Sequence, residues 1–302
     1  MIGYLAPKDY LEEVRQELEG KTQIEEVYDR LILTSGPVVP SIWAQNIWLN
    51  TRKIPIQSIS HAAQELKAIQ RNWSLYSVHS HRRAQLITEK LPKISAKTLD
   101  FPITLPTNPM GSWSLVENDL IIASPECTSL FPNGELYFQE NKIEPPSRAY
   151  LKLWEALTLV GDRRPGPSSH CLDMGSCPGG WTWVLQKLGA QVISVDKAPL
   201  DARVAALPGV RSLHQDAFTL DPKTVGPVDW FFSDVICYPQ KLLELVQKWF
   251  QTSDCRNYIC TIKFQGQEMT PADQAAIRGF MAIPGSRVCH LFNNKHELTW
   301  IK

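Results

Sequence analysis

Residues 172–181 read LDMGSCPGGW. An apolar run, HCLDM over 170–174, ends in a tight turn and passes into GWTWVLQKLG over 180–189, whose apolar spacing is helical. Glycines at 175, 179 and 180 admit positive φ and let a ligand come close to the main chain. The start of the helix offers free amides to an anionic group. The spacing is not the G-x-G-x-x-G of a dinucleotide turn, and Pro178 stands between the glycines. Such a turn suits a ligand with a carboxylate and a nucleoside but no phosphate. Two acids follow at the ends of the next apolar runs. Asp196 closes AQVISVD at the distance where a carboxylate takes ribose hydroxyls, and Asp216 in HQDAF is placed to meet an adenine edge. A turn, a ribose acid and an adenine acid at three successive strand ends predict a pocket for S-adenosylmethionine, lined by Gly175, Cys177, Pro178, Gly179, Gly180, Trp181, Asp196 and Asp216. The competing reading is a plain α/β turn with incidental acids, and three features in order weigh against it.

Those residues need strands that end side by side, and the second half of the chain supplies them. HCLDM (170–174), AQVISVD (190–196), GVRSLHQD (209–216), VDWFFSDV (228–235) and NYICTIKF (257–264) read as strands. GWTWVLQKLG, YPQKLLELVQKWF (238–250) and TPADQAAIRGFMA (270–282) read as helices between them. SRVCHLF (286–292) and HELTWIK (296–302) read as two final strands around a short polar turn. The predicted class is α/β, a mainly parallel sheet closing with an antiparallel hairpin. The proline pair in IEPPSRAY (143–150) marks a boundary, with an N-terminal region over 1–144 and the α/β domain over 145–302.

The N-terminal region reads as α+β. APKDYLEEVRQELEG (6–20) and SISHAAQELKAIQRN (58–72) look helical, while WSLYSVH, GSWSLVENDLIIAS and GELYFQEN (134–141) look like strands. Between Leu66 and Leu99 lie Lys67, Arg71, Arg82, Arg83, Lys90, Lys93 and Lys97 against one acid, Glu89, with Trp73, Tyr76, His79 and His81 interleaved. Cations mixed with aromatics suit a phosphate backbone and stacked bases. The alternative is a solvated face over two core aromatics.

Composition narrows the classes. With 302 residues, 43% hydrophobic and 21% charged, the chain has material for two domains and an ample core. Its formal net charge is zero, so any nucleic-acid surface is a local patch. The cysteines at 127, 171, 177, 237, 255, 260 and 289 show no C-x-x-C pair and mostly sit in apolar runs, which predicts reduced thiols in a cytoplasmic protein and no metal site. The opening MIGYLAPKDYLEEV does not read as a signal peptide, and no run approaches the ~20 apolar residues of a membrane helix.

The segment LDMGSCPGGWTW resembles motif I of the FtsJ-type ribose methyltransferases. PPSRAYLKLWEAL (145–157), FFSDV (231–235), CTIKF (260–264) and KHELTW (295–300) resemble the segments that carry that family's Lys-Asp-Lys-Glu tetrad. The resemblance places the tetrad at Lys152, Asp234, Lys263 and Glu297, with Asp234 also facing the donor. It is strongest toward the branch that methylates a cytidine ribose of large-subunit ribosomal RNA and carries an N-terminal THUMP region. It covers 145–302 well and 1–144 only by element order and the basic stretch. Ala149 departs from relatives with a hydroxyl residue near that position. The resemblance implies a Rossmann-like S-adenosylmethionine methyltransferase sheet, RNA as partner, no membrane, and ribose 2′-O-methylation.

The chemistry is consistent with such a tetrad. A sugar hydroxyl is a poor nucleophile until it loses its proton, whereas a sulfonium donor is already activated, so alignment and proton removal are what remain. Lys263 is either the proton acceptor or a cation that steers the hydroxyl; Lys152 and the sulfonium lower its pKa while Asp234 and Glu297 raise it. Glu297 orients a lysine. Cys177 lines the donor pocket, Trp181 packs α/β layers and borders the methionine end, and Trp183 is packing. The other readings are ribose methylation of tRNA or another RNA, a noncatalytic RNA-binding or assembly protein with this fold, and a nicotinamide dehydrogenase, which the missing G-x-G-x-x-G disfavours.

Overall fold

The structure, a computed structural model, describes residues 1–94, 98–266 and 268–302. It divides into two compact units: Met1–Asp100 with Leu105–Tyr137, and Phe101–Thr104 with Phe138–Lys302.

In the first unit the described elements are β1 (Ile2–Leu5), α1 (Leu11–Leu18), β2 (Gln23–Tyr28), β3 (Leu31–Ser35), β4 (Asn46–Trp48), β5 (Arg52–Pro55), α2 (Ile59–Ile69), β6 (Trp73–Leu75), α3 (His81–Thr88), β7 (Gly111–Glu117) and β8 (Leu120–Ser124). Two four-stranded sheets run β2-β3-β1-β4 and β5-β8-β7-β6. Helices α2 and α3 bury Ala62, Leu66, Ala84 and Ile87 against Trp113, Leu115 and Ile121 of the second sheet. Ser58 caps α2, its hydroxyl accepting from the His61 amide at 3.1 Å. The α+β expectation holds, but the first predicted helix is shorter. Residues 2–5 are a strand pairing with both β3 and β4. GELYFQEN is not a strand. Pro132–Gly134 form a 3₁₀ turn, Leu136 is buried in the first unit, and Phe138 is buried in the second, so the alternation there records two separate burials without a ladder.

The second unit holds α4 (Tyr150–Val160), β9 (His170–Met174), α5 (Gly180–Lys187), β10 (Gln191–Asp196), α6 (Ala202–Ala205), β11 (Val210–His214), α7 (Pro222–Val225), β12 (Trp230–Ser233), α8 (Pro239–Thr252), β13 (Asn257–Lys263), α9 (Pro271–Met281), β14 (Arg287–Cys289) and β15 (Glu297–Ile301). Its sheet runs β11-β10-β9-β12-β13-β15-β14 among the described residues. The first five strands pair in parallel, and β15 enters antiparallel between β13 and β14. The α/β class and the closing hairpin are as the sequence predicts. Strands β9, β12 and β13 are buried along nearly their whole length, as in a parallel sheet covered on both faces. Helix α8 buries Leu242, Leu245, Val246 and Trp249 on one stripe, and α9 begins in a reciprocal Thr270–Asp273 cap. Residues 101–104 belong to this unit, where Phe101 stacks on Trp154 with ring centroids 5.0 Å apart.

Two features of this sheet set the site. Connections from β9 run one way through β10 and β11, and those after β12 run the other way. The carboxyl ends of β9 and β12 therefore flank the switch-point crevice where open α/β sheets take ligands. The antiparallel register also places Lys263, the last residue of β13, directly opposite Glu297, the first of β15.

Candidate active site

The turn after β9 forms because three glycines accept what side chains resist. Gly175 and Gly179 have φ of +76° and +115°. A Cβ on Gly175 would lie 2.7 Å from Val235 Cα, and one on Gly180 would lie 2.7 Å from Ser147 Oγ. The turn is tied down from both sides. The Asp196 carboxylate accepts from the Cys177 amide at 3.0 Å and the Ala198 amide at 2.9 Å. Beneath it, buried Asp173 accepts from Thr182 Oγ1 at 2.7 Å, fixing the first turn of α5 to β9, and burial pushes the Asp173 carboxyl up to about 7.

Two adjoining cavities open at the switch point. One, of about 340 Å³, is lined by Ser147, Ala149, Gly175, Ser176, Cys177, Pro178, Gly180, Trp181, Asp196, Asp234, Val235, Ile236 and Lys263. The other, of about 400 Å³, is lined by Gly175, Asp196, Lys197, Asp216, Ala217, Phe218, Val235, Ile236, Cys237, Tyr238, Lys241 and Gln265. They share Gly175, Asp196, Val235 and Ile236, so they are two arms of one cleft.

Most of the residues expected to hold the donor line that cleft. Gly179 does not: its α-carbon faces Val204 and Leu200, and it serves the turn. Asp216 lines the larger arm with its carboxylate engaged by Lys197 Nζ at 2.8 Å and the Phe218 amide at 3.0 Å, which hold it below the usual carboxylate range. Trp181 is buried with its indole donating to the Ala149 carbonyl at 3.0 Å, so residue 149 acts through its main chain. Trp183 packs edge-on to Tyr150. Cys177 is exposed, and burial together with the Asp196 carboxylate raises its thiol pKa, which leaves it a lining residue without thiolate character.

The tetrad residues come together. Lys152, in the first turn of α4, places Nζ 2.9 Å from Asp234 Oδ1 and 2.9 Å from Glu297 Oε1. Lys263 Nζ lies 3.0 Å from the same Asp234 oxygen and donates to the Asp234 carbonyl at 2.6 Å. Their side chains are between 10% and 18% exposed. Burial opposes the charge on Lys152, but Asp234 and Glu297 more than offset it, and its pKa is raised. Burial likewise opposes the charge on Asp234, and the two lysines override it, holding the carboxyl below its usual range. Lys263 and Asp234 line the smaller arm, whereas Lys152 and Glu297 stand behind them.

The sequence did not single out Ser147 and Ser176, whose buried hydroxyls line the smaller arm without a partner among the described residues. It also missed Ile236 and Tyr238, exposed apolar residues at the cleft edge. The signal for the serines was their position, Ser147 within PPSR and Ser176 within the glycine turn. For the loop it was ICY between a strand and a proline-started helix.

Unpartnered hydroxyls, a main chain laid bare by glycine, and acids at the ends of β10 and β11 fit a ligand with an amino-acid end and a nucleoside end. Gly175→Ala should lower donor affinity at least tenfold and destabilise the second unit by about 1–3 kcal/mol, since it adds both a clash and a positive-φ penalty. Calorimetry and thermal unfolding measure the two effects; unchanged donor affinity would show that this turn is not the donor's seat.

The basic stretch of the first unit looks different from its sequence reading. Trp73 is buried, its indole donating to the Leu66 carbonyl at 2.9 Å, and Tyr76 is buried with its hydroxyl on the Asp29 carboxylate. Neither is a stacking platform; both rings complete the core beneath a charged face. Lys67, Arg71, Arg82, Lys90 and Lys93 are exposed, Arg83 is half-buried, and Lys97 lies outside the described residues. Among the described residues no group of His, Cys, Asp and Glu could hold a metal, and no helix is long and apolar enough to cross a membrane.

Comparison with known proteins places these features. Residues 145–264 match the FtsJ-like methyltransferase family. A ribosomal RNA large subunit methyltransferase M from Halorhodospira halophila is 34% identical over 158 residues, 51% of this chain and 46% of that protein. One from Aromatoleum aromaticum is 32% identical over 191 residues, 60% of this chain and 51% of that protein. One from Xanthomonas oryzae is 39% identical over 125 residues, 40% and 35% of the two. The chain thus spans about half the length of the curated relatives it matches.

Proposed function

With residues 145–264 an FtsJ-like methyltransferase segment, we propose that this protein transfers a methyl group from S-adenosylmethionine to a ribose 2′-hydroxyl of large-subunit ribosomal RNA, at a cytidine, in the cytoplasm. The observation that carries the reading is the ionic cluster of Lys152, Asp234, Lys263 and Glu297 at the edge of the donor cleft. A noncatalytic protein that merely keeps the fold has no need for two buried ammonium groups gathered on one carboxylate. The names of the relatives favour ribosomal RNA over tRNA as substrate.

In this reading Ser147, Ser176 and the glycine turn hold the amino-acid end of the donor, while Asp196 and Asp216 take its nucleoside end. Bound there, S-adenosylmethionine supplies a methyl group already activated by its sulfonium. Asp234 gathers both lysines and fixes their spacing. Lys152, tied to two carboxylates, stays an ammonium and keeps Asp234 ionised. Lys263 spends two of its three N–H donors on Asp234, one on the carboxylate and one on the carbonyl, which leaves the third direction for the acceptor oxygen. Lys263 is the lysine that lines the donor arm; entering the step as a neutral amine, its proton already released to solvent, it takes up the proton that the hydroxyl loses as the methyl moves.

The first unit, read as a THUMP-like module, positions RNA through the phosphate contacts of Lys67, Arg71, Arg82, Arg83, Lys90, Lys93 and Lys97. Mapping ribose methylation across total RNA from cells with and without the protein tests the whole reading. Loss of one methylated large-subunit cytidine is expected, and an unchanged map would end it. Asp196→Ala tests the donor arm. Losing a carboxylate that also ties the glycine turn should weaken S-adenosylmethionine binding about 10- to 100-fold by calorimetry. Normal binding would displace Asp196 from the ribose.

A further inference from the structure

Helix α4 carries a buried carboxylate on the face that bears Lys152. Glu155 lies one turn further along, at the i, i+3 spacing that puts two side chains on one side of a helix. Its side chain is buried, and both oxygens are in use. Oε1 accepts from the Phe292 amide at 2.7 Å; Oε2 accepts from the Asn293 amide at 2.8 Å and from Asn293 Nδ2 at 2.7 Å. These donors belong to the turn between β14 and β15. From there the turn leads straight into Glu297. Asn294 Nδ2 donates to the Glu297 carbonyl at 3.2 Å, and the Lys295 amide points at Glu297 Oε1 from 3.4 Å. Glu297 returns to α4 through Lys152 at 2.9 Å. A closed circuit results: helix to turn through Glu155, turn to strand, and strand back to helix through the Glu297–Lys152 pair.

We infer that Glu155 is a positioning residue for methyl transfer, clamping the β14–β15 turn so that Glu297 stands against Lys152. A buried carboxylate is a costly anchor for a turn. Burial pushes its carboxyl up to about 7 against the pull of its three donors. An apolar residue would fill the space but take away the carboxylate oxygens that the Phe292 and Asn293 amides bond. The turn so fixed is the one that delivers the fourth tetrad member, and none of its residues lines the donor cleft. Glu155 therefore acts on the chemistry and leaves donor binding alone.

The inference rests on the tetrad reading, and a double-mutant cycle separates the two. Glu155→Gln, Glu297→Gln and the double variant are assayed by single-turnover methyl transfer to total RNA from cells lacking the protein, with S-adenosylmethionine affinity measured alongside. Glu155→Gln is expected to slow transfer about 10- to 100-fold with donor affinity within about twofold of the parent. The double variant should be no slower than the slower single one, because both changes break the same circuit. If the two losses multiply, or if Glu155→Gln transfers at the parental rate, Glu155 does not act through Glu297 and the inference is overturned while the tetrad stands. A Glu297→Gln variant that transfers normally would remove both. Should Glu155→Gln fail to fold, Asn293→Ala removes one of the three donors and leaves both amide contacts. The same cycle then applies, with an expected loss of a few-fold that again does not multiply with Glu297→Gln.

Discussion

Replacing Lys263 with arginine should lower the rate of methyl transfer to RNA by about 10²- to 10⁴-fold and leave S-adenosylmethionine affinity close to that of the parent. Arginine keeps the positive charge and can still bond the Asp234 carboxylate, which now takes the Lys263 ammonium at 3.0 Å. What arginine cannot do near neutral pH is release a proton. Lys263→Ala should be at least as slow, because it also removes the donor to the acceptor oxygen. The pair therefore splits the two roles open to this side chain. If arginine supports transfer near the parental rate while alanine does not, Lys263 steers the hydroxyl as a cation and the proton leaves by another route. If alanine itself transfers normally, the lysine is outside the mechanism.

Asp234→Asn should abolish transfer and also lower stability by about 3–5 kcal/mol, the cost of breaking a buried ion pair from one side. For a unit of this size that is roughly 10 °C or more in Tm. The effect is large because one carboxylate serves two ammonium groups: Lys152 at 2.9 Å and Lys263 at 3.0 Å both meet the same oxygen. Asparagine keeps a neutral Oδ1 acceptor but no charge, so Lys152 retains the Glu297 carboxylate while Lys263 loses the carboxylate it pairs with. The pH dependence follows from the two shifts. The Asp234 pKa is lowered on folding, so its contribution is present above the unfolded carboxylate value and is lost as pH falls through the lower folded one. The Lys152 pKa is raised, so its contribution is present below the unfolded lysine value and is lost only as pH rises through the higher folded one. The parent should hold its stability across the range between, and the acid-side contribution from residue 234 should be missing in Asp234→Asn. Thermal unfolding from acid to alkaline pH measures this. A variant as stable as the parent would show that the cluster is solvated and not a buried lattice.

The second unit was legible because its central strands β9, β10 and β13 lie in apolar runs that local pattern identifies, and because most of the chemical residues fall at or just after strand ends. Asp196, Lys263 and Glu297 stand at ends of β10, β13 and β15, and Asp234 follows β12 directly. The first unit was less legible. Strands β1, β4 and β5 have four, three and four residues, and they are strands because distant partners pair with them; four residues at the start of a chain carry no period to read. Helix α3 was hidden in HRRAQLIT, where charge masks the buried pair Ala84 and Ile87. Trp73 and Tyr76 were misleading for the opposite reason. Aromatics beside cations look like a ligand surface until the sheet places them underneath. Glu155 gave no signal at all, since a glutamate in an amphipathic helix is ordinarily solvated and only the returning turn takes it out of water.

The insertion of β15 between β13 and β14 divides the cleft and the ionic cluster between different parts of one sheet. The cleft is lined from the segment before α4, from β9 through β13 and from the loops beside those strands, whereas the hairpin of β14 and β15 contributes Glu297 and no cleft residue. Local melting that peels this hairpin from β13 would therefore yield a species still loaded with its methyl donor but unable to use it. On the proposed function, such an opening would act like a fuse, interrupting transfer before the cosubstrate is released.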